Sequence, residues 1–450
     1  MRAYGDRRRP RRPGRLAAFG LTPALLGGAA LLAVLDTESR SPEVAPAVAA
    51  DAPFTITGRG NGHGRGMGQW GAFGYAQQGW PAERILTHYY GPEVTFGSVP
   101  PGMIAVRLID RDDKALEVYS AAGAIVAGRR VEPGQAARLT PTPAGGAHVE
   151  VTAGCGGPVI WAVDDPHPWV DPVVPGPDRP AAELLTLCSG DRAYRGALGV
   201  ATAADGTART VDLLDREDYL LGVVPAETPA DWADQGGAEA LRAQAIAARS
   251  YALADDRYGY AQICDTQACQ MYGGAGVEDP RTTAAVRSTA GTVLLQDGRP
   301  YRAEYSASTG GVNTTGVPDA GDAAAPVQGW SRTRTAAEIG QAFEVGELRA
   351  VQVTGRDPAG RVTGLQVAGT GGTAEVDGER ARGALDLPSD WFDIVAGTAP
   401  PPVPTVPPPP PAPEPPPPPP APEPPPPPPP AAPGPPSEAL VPVADPGLVR

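Results

Sequence analysis

One carboxylate stands apart from the other acidic residues of this chain. Glu227 closes the apolar stretch Tyr219-Leu-Leu-Gly-Val-Val-Pro-Ala-Glu, and the alanine-rich segment Ala238-Glu-Ala-Leu-Arg-Ala-Gln-Ala-Ile-Ala-Ala-Arg-Ser-Tyr251 follows it. A carboxyl in apolar surroundings keeps its proton to higher pH than a solvated one, so it can act as a general acid near neutrality. The spacing puts Glu227 at the entrance to a helix over 238–255. There the alternative role is to complement the helix dipole, worth well under about 1 kcal/mol. Asp231, Asp234 and Glu239 are the competing carboxylates, and capping or solvated positions account for them.

Two further stretches can carry chemistry. Gly58-Arg-Gly-Asn-Gly-His63-Gly-Arg-Gly-Met-Gly-Gln69-Trp-Gly-Ala has a glycine at nearly every second position, so its backbone can turn sharply and approach a ligand. His63, Arg65 and Gln69 are interleaved as donors for a polar substrate, which a plain linker would not require. No Gly-Lys-Ser/Thr follows, and the dinucleotide fingerprint is absent. Tyr305-Ser-Ala-Ser308-Thr-Gly-Gly311 reads as a strand entering a glycine turn. Ser306 or Ser308 could be a nucleophile, but Gly-x-Ser-x-Gly is missing. Hydrogen bonding to substrate, or a structural turn, fits this segment better.

The elements that position these residues follow from periodicity and punctuation. Leu241, Ala245, Ala248 and Ala252 form one stripe of the 238–255 helix, which Gly236-Gly237 introduces. Further helices are predicted over 68–78, 82–89 and 280–290. Strands are predicted over 104–109, 116–119, 149–152, 159–163, 184–188, 197–202, 293–295, 301–306, 348–353, 362–367 and 373–376. The Asp- and Pro-rich stretch 164–180 reads as a surface loop. Strands dominate and helices cluster in two places, which makes the fold class α+β.

Residues 1–50 run from an arginine cluster through the apolar 16–35 to Ala45-Pro-Ala-Val-Ala-Ala50, the order of a secretory signal with cleavage after Ala50. An uncleaved anchor is the alternative. Removing these residues takes the formal charge from −14 to −18. So acidic a chain is not drawn to phosphate backbones, which argues against a nucleic-acid partner. In an exported protein Cys155, Cys188, Cys264 and Cys269 form two disulfides by default, and nearness in sequence favours 264–269 and 155–188. Half of a metal site is the other reading of Cys264-x4-Cys269. From 398 to 450 the chain becomes a polyproline tract with no apolar face to bury, a spacer or a disordered terminus.

The motifs resemble the SpoIID/LytB family. Tyr219-Leu-Leu-Gly-Val-Val-Pro-Ala-Glu-Thr-Pro, Glu239-Ala-Leu-Arg-Ala-Gln-Ala-Ile-Ala-Ala-Arg-Ser-Tyr-Ala, Cys264-Asp-Thr-Gln-Ala-Cys-Gln-Met-Tyr-Gly-Gly and Tyr305-Ser-Ala-Ser-Thr-Gly-Gly occur in the family's order. Gly62-His-Gly-Arg-Gly-Met-Gly-Gln-Trp-Gly-Ala is similar to the family's GHGxGMSQYGA block, and Gly79-Trp-Pro-Ala-Glu-Arg-Ile-Leu-Thr-His-Tyr-Tyr-Gly to the helix after it. The resemblance covers about 55–96 and 193–395, with an inserted strand-rich arm at about 100–190 inside a 51–397 domain. The glycine-rich block comes first here instead of last, as in a circular permutation. Residues 233–237 are additional, and Thr228 stands where methionine is common. Ala268 stands where metal-binding members have histidine, which favours the disulfide.

What the resemblance implies is a lytic transglycosylase with Glu227 as its catalytic residue, no metal and no cofactor. It would cleave peptidoglycan glycan strands between N-acetylmuramic acid and N-acetylglucosamine, in wall remodelling or sporulation. His63, Gln69, Arg242, Gln244, Arg249, Tyr305, Ser306 and Ser308 would bind substrate. The family also includes amidase enhancers, which bind peptidoglycan and stimulate a cell-wall amidase. Either activity places the protein outside the cytoplasm, with membrane contact only if the signal stays uncleaved.

Overall fold

The computed structural model describes residues 46–397 apart from 144, 175, 177, 178 and 191. The expected export signal, except for 46–50, and the proline tract from 398 lie outside the described residues. The chain divides into Met1–Pro400 and Pro401–Arg450, and every described residue belongs to the first unit. The fold is α+β, with seven α-helices among the described residues: α1 Gln69–Gln77, α2 Ala82–Tyr90, α3 Arg216–Glu227, α4 Ala238–Ala254, α5 Pro280–Ser288, α6 Ala336–Ala342 and α7 Gly378–Ala384.

Helix α4 is the hub. Alanine is the best helix former and leaves little side chain between neighbours. Accordingly α1, α2, α3, α5 and the strand Thr292–Gln296 all pack on it, burying Ala240 to Ala252 almost without break.

Helix α3 was not legible in the sequence, and it corrects the setting of Glu227. Asp215 caps it by accepting from Glu217 N–H, with Glu217 and Asp218 in the first turn. Glu227 is its last residue, not the opening of α4. Pro225 sits in the final turn, and Thr228 closes the helix by donating both its N–H, at 3.0 Å, and its hydroxyl, at 2.9 Å, to the Val224 carbonyl. The helix dipole therefore acts against an ionised Glu227, opposite to its effect at a helix entrance.

Two sheets share one core. The seven-stranded sheet runs in the order Ile263–Cys264, Met103–Arg107, Ala208–Asp215, Ala197–Thr202, Trp169–Pro172, Ala124–Val126, Arg129–Val131. It is antiparallel except where Ile263–Cys264 pairs parallel with Met103–Arg107. The six-stranded sheet contains Leu116–Tyr119, Ala136–Pro141, Ala147–Thr152 and Val159–Asp165 together with Leu185–Leu187 and Ala193–Tyr194. Val118, Leu139 and Val149 of the latter join Leu198, Val200 and Leu214 of the former in one cluster with α3 and α4. Met103–Arg107, Ala124–Val126, Arg129–Val131 and Trp169–Pro172 thus lie in the same sheet as the strands of 197–215. The loop expected over 164–180 contains a strand, Trp169–Pro172, because Val170 is fully buried between Leu198 and Val126. The strand expected over 301–306 shrinks to Tyr305–Ser306.

The two ends of the domain close on each other. Pro53–Gly58 is the middle strand between Trp330–Thr335 and Phe392–Ala396, with Phe54 opposite both Arg334 and Ala396. Next in the chain, Met67–Gly68 pairs parallel with Tyr305–Ser306, and Asn61 and Gly62 bridge to Ser308 and Ser389. The glycine-rich block reaches the strand-and-turn motif despite coming first.

Arg249 ties α4 to α3 at a fully buried position. Its Nε and Nη2 donate to the Glu217 carboxylate at 2.8 and 2.7 Å, and Nη1 donates to the Thr292 carbonyl at 3.0 Å. Removing one partner of such a pair leaves uncompensated polar groups. Arg249→Met is expected to lower the unfolding free energy by about 3 kcal/mol, read from the urea midpoint. An unchanged midpoint would show that the pair does not hold α4 to α3.

Candidate active site

The Glu227 carboxyl opens into a cleft of about 530 Å³ that collects side chains from six segments. These are the glycine-rich block, the end of α3, the end of α4 with the turn after it, the 267–271 segment, the 302–307 segment and α7. A larger hollow of about 710 Å³ lies between Ala47–Ala50 and α6, but its lining is mostly alanine and glycine and offers no comparable constellation.

Glu227 is half-buried. Burial is the main influence on it and raises its pKa. The Met271 N–H opposes that rise by donating to Oε1 at 2.6 Å, and the nearby Tyr305 hydroxyl and Gln69 amide act in the same direction. Gln69 is held in place from both sides. Its Nε2 donates to the Glu227 main-chain carbonyl at 3.2 Å and to Gln244 Oε1 at 3.4 Å.

His63 faces the same cleft. The Arg65 N–H donates to its Nδ1 at 3.1 Å, which leaves the ring proton on Nε2. Burial and the charges of Arg65, Arg382 and Arg361 lower its pKa to about 3, so at neutral pH it is an uncharged donor. The turn that presents it needs glycine. Gly64 and Gly66 have φ of +65° and +62°, and a Cβ on Gly66 would lie 1.9 Å from the Glu304 carbonyl oxygen.

Of the residues expected to bind substrate, His63, Gln69, Tyr305 and Ser306 line the cleft with Glu227. Ser306 Oγ is buried and has no hydrogen-bond partner among the described residues. Gln244 stands one layer behind, reaching the cleft only through Gln69. Three residues are displaced. Ser308 donates to Asp322 at 2.8 Å, locking the turn from within. Arg242 pairs with Glu239 at 3.3 Å and donates to Ser288 at 2.8 Å, and Arg249 is consumed by Glu217. The two arginines do share a helix face, but Gln244 and Tyr251 present the cleft face of α4. Two residues further along a helix is about 200° around it, so the arginines point the opposite way.

Of the other cleft residues, Arg65 was read in the sequence as a donor of the glycine-rich block, whereas Arg257, Arg302 and Arg382 went unrecognised. Arg65 bridges Glu304 at 3.0 Å and Glu379 of α7 at 3.1 Å. Arg257 and Arg302 both bind the buried Asp255, at 2.8 and 3.3 Å, and both donate to the Tyr251 hydroxyl. Arg382 completes the rim. Alternating charge around Tyr305 and the arginine interleaved at 65 were the only signals. The cysteines pair 155–188 and 264–269. That engages both members of the Cys264-x4-Cys269 block, so the metal reading of it is set aside. The second bridge closes the turn that ends two residues before Met271.

Residues 204–295 match the family model described as stage II sporulation protein, SpoIID. That segment runs from the strand before α3 to the one after α5. The chain is similar to the amidase enhancer of Bacillus subtilis (strain 168), 41% identical over 92 residues, covering 20% of this chain and 12% of that protein. It is also similar to stage II sporulation protein D of Bacillus subtilis (strain 168), 26% identical over 200 residues, and of Bacillus amyloliquefaciens, 27% identical over 207. Each of these two alignments covers 39% of this chain and 57% of the relative. The chain therefore spans less than two thirds of the curated relatives it matches. No solved structure matches it.

The lowered His63 pKa has a sign that can be checked. Below about pH 6.5 the unfolded chain takes a proton that the folded ring refuses, so the folded state loses stability as pH falls from there toward about 3. Nitrogen-detected NMR should find His63 neutral and protonated on Nε2 from about pH 8 to about pH 4. An ordinary titration near 6.5 would mean an open, protonatable histidine.

Proposed function

Because the chain belongs to the SpoIID/LytB family, we propose that it acts on cell-wall peptidoglycan as a lytic transglycosylase. The observation that carries this reading is the Glu227 carboxyl, desolvated at the end of α3 yet open to a polar cleft and surrounded by uncharged donors. The other carboxylates of the cleft, Glu304 and Glu379, are both engaged by Arg65. Hydrolysis by the two-carboxylate route needs a second acid or base, whereas internal attack needs only one.

On this reading Glu227 gives its proton to the glycosidic oxygen as the C1–O bond breaks. The C6 hydroxyl of the muramic acid then attacks C1 and returns its proton to Glu227. The products are a free hydroxyl on the departing sugar and a 1,6-anhydro end, with no water consumed. His63 Nε2–H, Gln69 and Ser306 orient the sugars, and the rim arginines suit acidic substituents. Two disulfides fit an oxidising compartment outside the cytoplasm. Among the described residues no helix is long and apolar enough to cross a membrane.

The 41% identity to an amidase enhancer favours a second reading, in which the same cleft holds glycan without cutting it and a separate amidase is stimulated. Product chemistry separates the two. The mature domain is incubated with intact sacculi and with peptide-free glycan, and soluble fragments are analysed by mass spectrometry. Fragments ending in 1,6-anhydromuramic acid are expected, and Glu227→Gln should slow their release by about 10²–10⁴-fold. No release from either substrate, with stimulation of an added amidase, would establish the second reading. Because the acid form starts the reaction, the rate should fall as pH rises through the raised Glu227 pKa, later than an ordinary exposed glutamate would allow.

A further inference from the structure

We propose that Gln270 is a positioning residue that fixes the Tyr305 hydroxyl as a donor to Glu227. The proposal rests on the reading of Glu227 as acid and then base, and it gives Tyr305 a role toward the carboxyl in place of one toward substrate.

The hydrogen bonds of Gln270 determine their own direction. The side chain is almost wholly buried between α3, α4 and the Tyr305–Ser306 strand. One end of its amide lies 3.3 Å from the Ala248 carbonyl, a group that can only accept, so that end is the nitrogen. The oxygen end then faces the Tyr219 hydroxyl at 3.1 Å, and Tyr219 must donate to it. The same Gln270 nitrogen lies 2.8 Å from the Tyr305 hydroxyl and donates to it. A phenol that accepts this bond has to send its own hydrogen elsewhere, and the Glu227 carboxyl is the acceptor that shares the cleft with it. A main-chain carbonyl of α4 thus orients, through two side chains, the donor beside the reacting carboxyl.

The consequence appears when Glu227 has given up its proton. The carboxylate meets the Met271 N–H, and beside it a Tyr305 hydroxyl whose hydrogen the Gln270 bond has already turned away from Gln270. Without Gln270 the Tyr305 hydroxyl is free to turn and accept from protonated Glu227, which would favour the acid form instead. Burial and the neighbouring Glu227 charge keep Tyr305 itself protonated. The other titratable groups around the carboxyl are Tyr219 of α3, Tyr251 of α4, His63, the Arg257 and Arg302 pair on Asp255, Arg382, and Arg65 with Glu304 and Glu379. None of these is altered in the test.

The test is a titration of Glu227 in the full chain, with carboxyl-¹³C glutamate and the resonance assigned by its loss in Glu227→Gln. Gln270→Met and Tyr305→Phe are each expected to raise the Glu227 pKa by about one pH unit, the effect of losing one donor to a charged acceptor. The double variant should go no higher than either single one. An unshifted pKa in Gln270→Met, or additive shifts, would overturn the proposal. If Gln270→Met does not fold, an unshifted pKa in the near-isosteric Tyr305→Phe overturns it as well. The alkaline limb of glycan release should move with the titration. Failure of the wild-type protein to release glycan would defeat the functional reading while the titration still decides this one.

Discussion

The 2.6 Å hydrogen bond from Met271 N–H to the Glu227 carboxyl joins the two halves of the candidate site. Glu227 arrives on α3, fixed by its cap at Asp215 and by packing against α4. Met271 follows the turn closed by Cys264–Cys269, which is anchored where Ile263–Cys264 joins the large sheet. Burial alone raises the pKa of Glu227 and disfavours its ionised form. A single well-aimed main-chain donor keeps the carboxylate accessible without bringing in a charge. The sheet, the disulfide turn and the helix pair converge on that one contact.

The placement of the glycine-rich block follows from strand pairing, not from chain order. Pro53–Gly58 lies between strands that end the domain, so the residues after it emerge beside Tyr305. Gln69 then reaches Glu227 across 158 positions of sequence. Where the backbone is hydrogen-bonded on both edges, a permuted connection delivers the same neighbours as an unpermuted one.

How much was legible depended on whether local signals agreed with the fold. Helices α1, α2, α4 and α5 carry good formers or clear starts, and the sequence reading found all four. Helix α3 contains Gly222, Val223, Val224 and Pro225, which locally argue against a helix, and tertiary packing overrides them. Missing it reversed the end of the helix on which Glu227 was placed. Within the site, the motif residues His63, Gln69, Tyr305 and Ser306 could be found by type. Arg242 and Arg249 could not be oriented, because a seven-residue spacing names a helix face without saying what that face meets. The Met271 N–H was beyond reach, since every residue except proline carries one.

The shared pairing of distant segments also decides how the protein can be divided. The span that matches the family model, 204–295, contains Glu227 and Met271. It lacks Met103–Arg107 and Ala197–Thr202, the strands on either side of Ala208–Asp215, and it lacks Gln69 and Tyr305. A fragment cut to that span would carry the carboxyl but would expose it to water on the sides that the glycine-rich block and Tyr305 close. The smallest piece that keeps the cleft whole begins no later than Pro53 and ends no earlier than Ala396.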